Sequence, residues 1–425
     1  MPAVKPFKAI RYNKEKIRDI SRVVAPPYDV IPKKLQDELY RSNPHNIVRL
    51  TLNRITSGDT PRNNRYTRSK KLFDLWLAEK ILIQEDTDSF YIYSQKYKHG
   101  NRFTEQVGFI GLMGLDRNGK DKVLPHENTL AAPKKDRLNL TRALSADLEP
   151  IFVLYDDSPV TKFLKKYRAA HKTIIDLTAE GVRHRVWKMD DPEAIKMIED
   201  HMKGKNVFIA DGHHRYEAAK IYAKEAHESP LPFRNKERPG YMMVYFVEAD
   251  EKTLTVLPTH RLVKKLGKIK KDGIIGELNK FFRVEKTPSF KSMMAGLGSL
   301  TEARAFGVYL GKGNFYILKL EDTAAADMAI KDKPEDWKRL DVSILHLFVF
   351  QHTLGIRDAD DNIEFTKDPF DAARAVDSGK FKAAFFLNPT GVSQIKRIAK
   401  LGERMPRKST YFYPKQLSGL VINKY

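Results

Sequence analysis

The chain lacks cysteine altogether: its 425 residues include none. This excludes disulfides, cysteine zinc sites, iron–sulfur clusters and thiol nucleophiles. Tryptophan is also scarce, and no apolar run approaches the ~18 residues expected of a membrane-crossing helix. The N-terminal residues have no apolar segment of the kind found in signal peptides. We therefore expect a cytoplasmic protein without a membrane partner.

Acidic residues are in deficit. Lysine and arginine together number 76 against 54 aspartates and glutamates, a formal net charge of +22. Such an excess is typical of proteins that bind phosphate or nucleic acid. The run from Lys264 to Lys271 has no aromatic residue interleaved for base stacking, so a solvated helix face is the favoured explanation of it. Nucleic acid is therefore a possible partner, but a small molecule is favoured.

The length suggests two or three domains at about 150 residues each. We expect an N-terminal α+β region over residues 1–100, a central domain over 101–265 and a C-terminal α+β domain over 266–425. Hydrophobic residues make up 41% and charged residues 31%, an ordinary composition for a folded domain. Predicted strands and helices are mixed without strict alternation. This pattern predicts the α+β class, with mixed sheets and flanking helices.

The sharpest motif lies between a predicted buried strand and a predicted helix. Its residues are Asp211, Gly212, His213, His214 and Arg215. A glycine at such a turn lets the backbone approach a ligand, and a helix N-terminus favours anions. Arg215 can donate to a phosphate through two nitrogens, while Asp211 can hold a metal, a hydroxyl proton or Arg215 itself. An aspartate N-cap followed by packed histidines would explain the same residues.

A second motif places Glu127 beside His126, ahead of a basic cluster that contains Arg137. A carboxylate near a histidine and an anion site suits a general base. An ordinary surface loop is the alternative.

A third motif, over residues 405–415, alternates basic, hydroxyl and aromatic side chains between two prolines. Its cradle for a phosphate would use Lys408, Ser409, Thr410 and Lys415, whereas the alternative is an edge strand whose charges prevent further pairing.

Two further segments offer groups that could face a substrate. Asp29 follows two prolines that fix a turn, although it could equally cap the helix predicted to begin at Lys33. His260 and Arg261 follow a predicted strand end. We count Asp29, His260 and Arg261 among the candidate binding residues.

The chain resembles the DUF1015 family over essentially its whole length. This bacterial and archaeal group is named for having no assigned function. Six motifs occur in the family's order: APPYDVI, HENT with a downstream DRL, ADGHHRYEAA, LPTHR, DVSILH and MPRKSTYFYPK. The family name therefore supplies no reaction.

The segment 211–219 is also similar to the phosphate-binding motif of the ParB/sulfiredoxin superfamily, which includes ParB CTPases, sulfiredoxins and free-serine kinases. The resemblance implies a nucleotide-binding core around this motif. Sulfiredoxins use a cysteine here, where this chain has His213, so thiol chemistry is excluded. ParB-type partitioning needs a helix-turn-helix, and we find no convincing one. The free-serine kinases have the most similar motif and an upstream glutamate as base, for which Glu127 is the natural counterpart.

The resemblance therefore implies a kinase that uses ATP or ADP with Mg²⁺ to phosphorylate a metabolite hydroxyl, free L-serine being one candidate. In that hypothesis Glu127 is the base, Asp211 and His213 complete the catalytic group, and Asp211 also places the metal. The predicted nucleotide-binding residues are Gly212, His214, Arg215, Lys408, Ser409 and Thr410. The predicted substrate-binding residues are Asp29, Arg137, His260, Arg261 and Lys415. A nucleotide- or nucleic-acid-binding regulator of ParB type is the alternative. A hydrolase with a metal held by His126, His213 or His260 is a third.

Overall fold

The structure is a computed structural model that describes residues 3–115, 123–156, 158–228, 240–266, 269–301, 303–321, 323–356 and 362–425. The chain forms two compact units. Unit 1 comprises Met1–Pro125, Thr129–Leu254 and Pro414–Tyr425, and unit 2 comprises His126–Asn128 and Thr255–Tyr413. The regions predicted as 1–100 and 101–265 both contribute strands to the main sheet of unit 1.

Strands and helices are interspersed along the chain. The strands are β1 (Val4–Lys5), β2 (Ile10–Tyr12), β3 (Leu82–Gln84), β4 (Phe90–His99), β5 (Arg102–Gly114), β6 (Val123–Pro125), β7 (Ala146–Asp147), β8 (Ile151–Tyr155), β9 (Ile175–Ala179), β10 (Val182–Met189), β11 (Val207–Asp211), β12 (Tyr241–Glu248), β13 (Thr255–Leu257), β14 (His260–Val263), β15 (Phe282–Thr287), β16 (Ala305–Tyr309), β17 (Phe315–Leu320), β18 (Ile363–Thr366), β19 (Ala383–Phe386), β20 (Tyr411–Tyr413) and β21 (Asn423–Lys424).

The helices are α1 (Lys33–Ser42), α2 (Val48–Thr51), α3 (Arg65–Ala78), α4 (Ala131–Leu144), α5 (Ser158–Ala170), α6 (Pro192–Met202), α7 (His213–Glu228), α8 (Ile274–Leu278), α9 (Phe290–Gly298), α10 (Ala324–Ala329), α11 (Glu335–Lys338), α12 (Asp341–Ser343), α13 (Pro369–Asp377) and α14 (Val392–Lys400). The chain is thus α+β with mixed sheets and flanking helices, as the sequence predicts. None of the described helices combines the length and apolar character that crossing a bilayer requires.

Unit 1 is built on a nine-stranded sheet in the order β6-β11-β8-β12-β5-β4-β10-β9, with β1 added beside β5. The pairs β11–β6 and β12–β8 are parallel and the other pairs are antiparallel. Strands β4 and β5 form a hairpin whose two-residue turn contains Gly100 at φ +58°. Glycine adopts this conformation readily, so the local sequence sets the hairpin.

The central strands of unit 1 are buried on both faces. On β4, Phe90 and Ile92 join a hydrophobic core with Tyr216 and Ala219 of α7. The alternate residue Tyr93 points to the opposite face and is also fully buried. A second core packs the N-terminal segment against α3 through buried residues such as Trp76. Burial on both faces fixes the position of β11, and therefore the point where α7 begins.

Unit 2 contains a six-stranded antiparallel sheet in the order β15-β17-β16-β19-β14-β18. A π-helix, Ile344–Thr353, follows α12 and contributes Phe350, whose ring contacts that of Phe385 on β19 at 4.8 Å between centroids. In the lysine run singled out above, Lys264 pairs with Glu364 at 2.9 Å, whereas Lys268 lies outside the described residues.

Candidate functional site

The strand–turn–helix around Gly212 is sterically tight. Strand β11 ends at Asp211, α7 begins at His213, and Gly212 between them has φ +95°. A Cβ atom on Gly212 would lie 2.6 Å from Cγ2 of Ile151 and 3.0 Å from Nη2 of Arg215. Both the backbone angle and the space therefore require glycine at this turn.

Asp211 lies between two cations. Its Oδ2 accepts a hydrogen bond from Nη2 of Arg215 at 3.0 Å, and its Oδ1 accepts one from Nζ of Lys415. The three side chains are only 10–13% exposed. The backbone of Lys415 is held in turn, because Nε2 of Gln95 donates to its carbonyl oxygen at 2.9 Å. The fold thus joins residues 204 positions apart into one polar cluster.

Arg215 makes further contacts inside unit 1. Its Nη1 donates to the carbonyl oxygen of Pro150 at 2.7 Å, and its Nε lies 3.8 Å from Oε1 of Glu149. Burial on its own lowers the pKa of Arg215, but the charges of Glu149 and Asp211 outweigh burial, and the pKa is raised. The guanidinium group therefore stays a cation that can donate to an anion.

The segment that contains Asp29 belongs to the same neighbourhood. The negative charge of Asp29 acts on Arg215 and helps to raise its pKa. The ring of Tyr28 lies 3.8 Å from the guanidinium carbon of Arg137, and burial raises the pKa of the Tyr28 hydroxyl. Arg137 also donates through Nε to Asp136 at 2.9 Å, so this predicted substrate-binding residue has a structural contact as well.

The two histidines of the motif have different surroundings. His213, at the start of α7, is buried, and His214 accepts a hydrogen bond at Nε2 from the backbone N–H of Leu130 at 2.9 Å. His214 thereby links the start of α7 to the segment that leads into α4. These contacts leave the predicted roles of both residues as predictions.

The sequence analysis missed two residues of this cluster, Glu149 and Ser418. Glu149 is 7% exposed, and its Oε2 accepts a hydrogen bond from the Ser418 hydroxyl at 2.6 Å. The backbone of Ser418 pairs with that of Ala25, with Ser418 N donating to Ala25 O at 2.8 Å. The only sequence feature that could have indicated Glu149 is its place directly before Pro150 and the buried strand β8. No local sequence pattern predicts the backbone pairing of Ser418 with Ala25.

The other predicted residues lie in unit 2. Oε1 of Glu127 accepts a hydrogen bond from the backbone N–H of Lys408 at 2.8 Å, and Lys408 has φ +54°. The Thr410 hydroxyl lies 3.1 Å from Nε2 of the buried His126, and Ser409 donates its hydroxyl proton to a carbonyl of the same loop. Many of the polar groups of this loop therefore stabilise the conformation of the loop itself.

Arg261 and His260 are both fully buried in unit 2. Arg261 donates through Nε to Nε2 of His346 at 3.1 Å and through Nη2 to the carbonyl oxygen of Lys408 at 3.3 Å. Burial, assisted by the charge of Arg261, lowers the pKa of His260 to about 4. His260 is therefore neutral near pH 7.

A resident metal ion has little to bind to here. Within the ranges that the structure describes, no group of three or more histidine, aspartate or glutamate side chains could hold a metal. Both oxygens of Asp211, the predicted ligand, accept hydrogen bonds from cations. The residues present therefore do not fit a metal site built by the protein alone.

Comparison with known proteins gives a family. The model of the family described as "Protein of unknown function (DUF1015)" matches residues 4–343. The chain belongs to the DUF1015 family. This confirms the predicted family over residues 4–343, while the motif at 405–415 lies outside the matched range. No curated protein matches the chain.

Three solved structures are distantly similar. A free serine kinase in complex with AMP has 13% identity and a TM-score of 0.34, over 69% of this chain and 84% of that one. A conserved hypothetical protein from Pyrococcus furiosus has 11% identity and a TM-score of 0.35, over 71% and 91%. C-terminally truncated SbnI from Staphylococcus aureus has 12% identity and a TM-score of 0.33, over 73% and 85%. Similarity at this level says nothing about substrate or reaction in this DUF1015 protein.

Proposed function

We propose that this DUF1015 protein is a nucleotide-dependent phosphotransferase. It would transfer a phosphoryl group from ATP or ADP to the hydroxyl of a small metabolite, with free L-serine as the first acceptor to test. The observation that carries the proposal is the cluster of Asp211, Arg215 and Lys415 around the glycine turn before α7.

The cluster has the groups that a phosphate requires. The arginine guanidinium carries more N–H donors than its contacts with Asp211 and the Pro150 carbonyl use, so it could also donate to phosphate oxygens. The lysine ammonium adds a second positive charge that would attract them. Gly212 has no side chain between the backbone and a ligand, and the N-terminus of the 16-residue α7 adds the positive end of its dipole. Asp211 would hold the two cations in place. In phosphoryl transfer such positioning and charge neutralisation supply most of the catalysis.

The ParB/sulfiredoxin-like core belongs to the same proposal. The segment 211–219 would be the nucleotide-phosphate motif of that superfamily, with His213 and His214 at its start. The absence of cysteine from all 425 residues removes the thiol chemistry of the sulfiredoxin branch. A phosphotransferase uses the remaining groups of the motif without a thiol.

Mg²⁺ stays a prediction. Enzymes of this chemistry commonly receive Mg²⁺ on the phosphates of the nucleotide, where it neutralises charge. The described residues do not fit a resident ion, so Mg²⁺ would arrive with the nucleotide. The roles predicted for Glu127, Lys408, Ser409, Thr410, His260 and Arg261 likewise stay predictions.

The test is transfer observed directly. The purified chain is incubated with ATP or ADP, Mg²⁺ and a panel of hydroxylated metabolites that includes L-serine, and the products are followed by phosphorus NMR. We expect a new phosphomonoester resonance that depends on the protein. No transfer to any acceptor, together with DNA binding that falls steeply with salt, would instead support the ParB-type regulator.

The matched variants are Asp211→Asn and Asp176→Asn. Asp211→Asn removes the charge that holds Arg215 and Lys415, so turnover should be lost while the protein stays folded. Asp176 is likewise paired through both of its oxygens, but on the hairpin of β9 and β10 outside the cluster. Its Oδ1 and Oδ2 accept hydrogen bonds from Nε and Nη2 of Arg183 at 2.9 and 2.7 Å. Asp176→Asn should therefore keep wild-type turnover. Wild-type activity in Asp211→Asn would mean that the reaction occurs elsewhere.

A further inference from the structure

A small cavity in unit 1 adjoins Arg215. Its volume is about 40 Å³, and its charged lining consists of Arg137, Asp147, Glu149 and Arg215. On the usual scale of about 10–15 Å³ for each ordered water, it accommodates about three water molecules, or a ligand group of a few non-hydrogen atoms. Two cations and two carboxyl groups therefore surround a space of the size of a small polar group.

Glu149 and Arg215 both line this cavity, and they carry complementary atoms at a separation too long for a direct bond. Oε2 of Glu149 is bound by the Ser418 hydroxyl, and its Oε1 lies 3.8 Å from Nε of Arg215. That nitrogen is buried and has no hydrogen-bond partner among the described residues, in a side chain that is 10% exposed. Leaving such a donor unpaired is costly. An oxygen atom that donates a hydrogen bond to Oε1 and accepts a hydrogen bond from the N–H at Nε would satisfy both groups.

A hydroxyl group has both capacities, whereas an ammonium group only donates and a carboxylate only accepts. Two other carboxyl groups nearby, those of Asp211 and Asp147, are already engaged. Asp211 accepts from Lys415 and Arg215, as described above. Asp147 accepts from the Tyr425 hydroxyl, the amide of Asn423 and the backbone N–H of Met243. Glu149 thus lines the cavity, with one oxygen bound by Ser418 and the other 3.8 Å from a buried donor.

We propose that Glu149 is the proton acceptor of the reaction, with the acceptor hydroxyl bound between its Oε1 and Nε of Arg215. This inference rests on the proposed phosphotransferase function. The hydroxyl oxygen attacks the terminal phosphorus, and a new O–P bond forms as the bond from that phosphorus to the bridging oxygen of the nucleotide breaks. The electron pair leaves on the nucleotide, and the hydroxyl proton passes to Glu149. Ser418 is then a positioning residue that holds the carboxylate.

This assignment differs from the sequence prediction, in which Glu127 is the base. Oε1 of Glu127 accepts a hydrogen bond from the backbone of Lys408 within unit 2. Glu149 belongs to the same unit as Asp211, Arg215 and the cavity. The two assignments predict opposite outcomes for two conservative substitutions.

The experiment compares wild type with Glu149→Gln, Glu127→Gln and the control Glu85→Gln. Glu85 is a glutamate of unit 1 that pairs with Arg11 and Lys188 outside the cluster. Transfer from ATP or ADP to L-serine, and to water as orthophosphate release, is followed by phosphorus NMR, and ADP affinity is measured by calorimetry. We expect Glu149→Gln to lower turnover by about 100-fold or more, the usual range for a lost general base. Its dissociation constant for ADP should stay within about threefold of wild type, and Glu85→Gln should match wild type in both measurements.

Two further variants separate proton transfer from folding. Glu149→Asp keeps a carboxylate but withdraws it by one methylene, so it should regain part of the turnover lost in Glu149→Gln. Ser418→Ala keeps the carboxylate and removes one hydrogen bond, so its loss should be smaller than that of Glu149→Gln. If Glu149→Gln does not fold, these two variants still decide, because wild-type turnover in both would overturn the assignment.

The outcomes distinguish the two proposals. A wild-type protein that neither transfers a phosphoryl group nor hydrolyses ATP or ADP contradicts the proposed function itself. An active wild type with Glu149→Gln within about threefold of it contradicts only the role of Glu149. A 100-fold loss in Glu127→Gln with little change in Glu149→Gln would establish the sequence-based assignment instead.

Discussion

Gly212 is the position where the geometry of the cluster makes the most quantitative prediction. Replacement by alanine puts a Cβ at φ +95°, 2.6 Å from Cγ2 of Ile151 and 2.9 Å from its Cβ. An L-residue in the left-handed region is destabilised by about 1–2 kcal/mol. Crowding against a fully buried side chain adds about 1–3 kcal/mol. We therefore expect Gly212→Ala to lower the free energy of unfolding by about 2–5 kcal/mol.

Gly181 supplies the matched control. It lies in the turn between β9 and β10 at φ +75°, with nothing within 4 Å of the position of an added Cβ. Gly181→Ala has the same type of backbone strain without the contact with Ile151, so about 1–2 kcal/mol is expected. The difference between the two variants isolates the steric contribution at the site.

Urea unfolding followed by tryptophan fluorescence measures both variants. Trp76 and Trp187 belong to unit 1 and Trp337 to unit 2, so a Trp337→Phe background makes the emission report on unit 1 alone. Equal losses in Gly212→Ala and Gly181→Ala would refute the argument from close packing. A Cβ on Gly212 also lies 3.0 Å from Nη2 of Arg215, so ADP affinity should fall in Gly212→Ala and persist in Gly181→Ala.

Two buried groups predict opposite dependences of stability on pH. Burial raises the pKa of Asp147 to about 6, so the folded state binds the proton more tightly and stability should fall by up to about 3 kcal/mol as pH rises from about 4 to 6. Asp147→Asn should remove that slope, and parallel pH curves for variant and wild type would contradict it. Burial lowers the pKa of His184 to about 4, so its contribution of about 3 kcal/mol should be complete above pH 6.5 and be lost as pH falls towards 4. His184→Gln should flatten this acid limb in urea titrations, and an unchanged acid limb would show that His184 does not control it.

The local parts of the fold were predictable because their causes lie close together in sequence. The hairpin of β4 and β5 has two strands that contain apolar and aromatic runs and are joined by a glycine turn, and α14 has an apolar face that the structure buries. The segment 342–354 is strongly apolar, which predicts a helix. It does not indicate the π-helical hydrogen bonding that the structure shows. The composition of this segment predicts that it is helical, whereas the hydrogen-bond pattern of the helix depends on its packing in unit 2.

The candidate site was predictable only in part. The glycine turn and Arg215 are visible as a motif, because strand, turn and helix are consecutive. The pairing of Asp211 with Lys415 depends on contacts across 204 positions, which no local pattern contains. Glu149 was missed for the same reason, since a single acid before a proline acquires meaning only when Ser418 and Arg215 reach it.

The contacts in the structure also change how the positive charge of the chain is interpreted. In and beside the cluster, three carboxylates match three cations: Arg215 pairs with Asp211 and Glu149, Lys415 pairs with Asp211, and Arg137 pairs with Asp136. This group is formally neutral, so the net charge of +22 resides elsewhere. Phosphate recognition there would depend on prearranged donors and the helix dipole, which salt screens weakly in a buried setting. Binding of polyanions to exposed lysines is instead strongly salt-dependent, so the two kinds of positive charge have separate physical consequences in one chain.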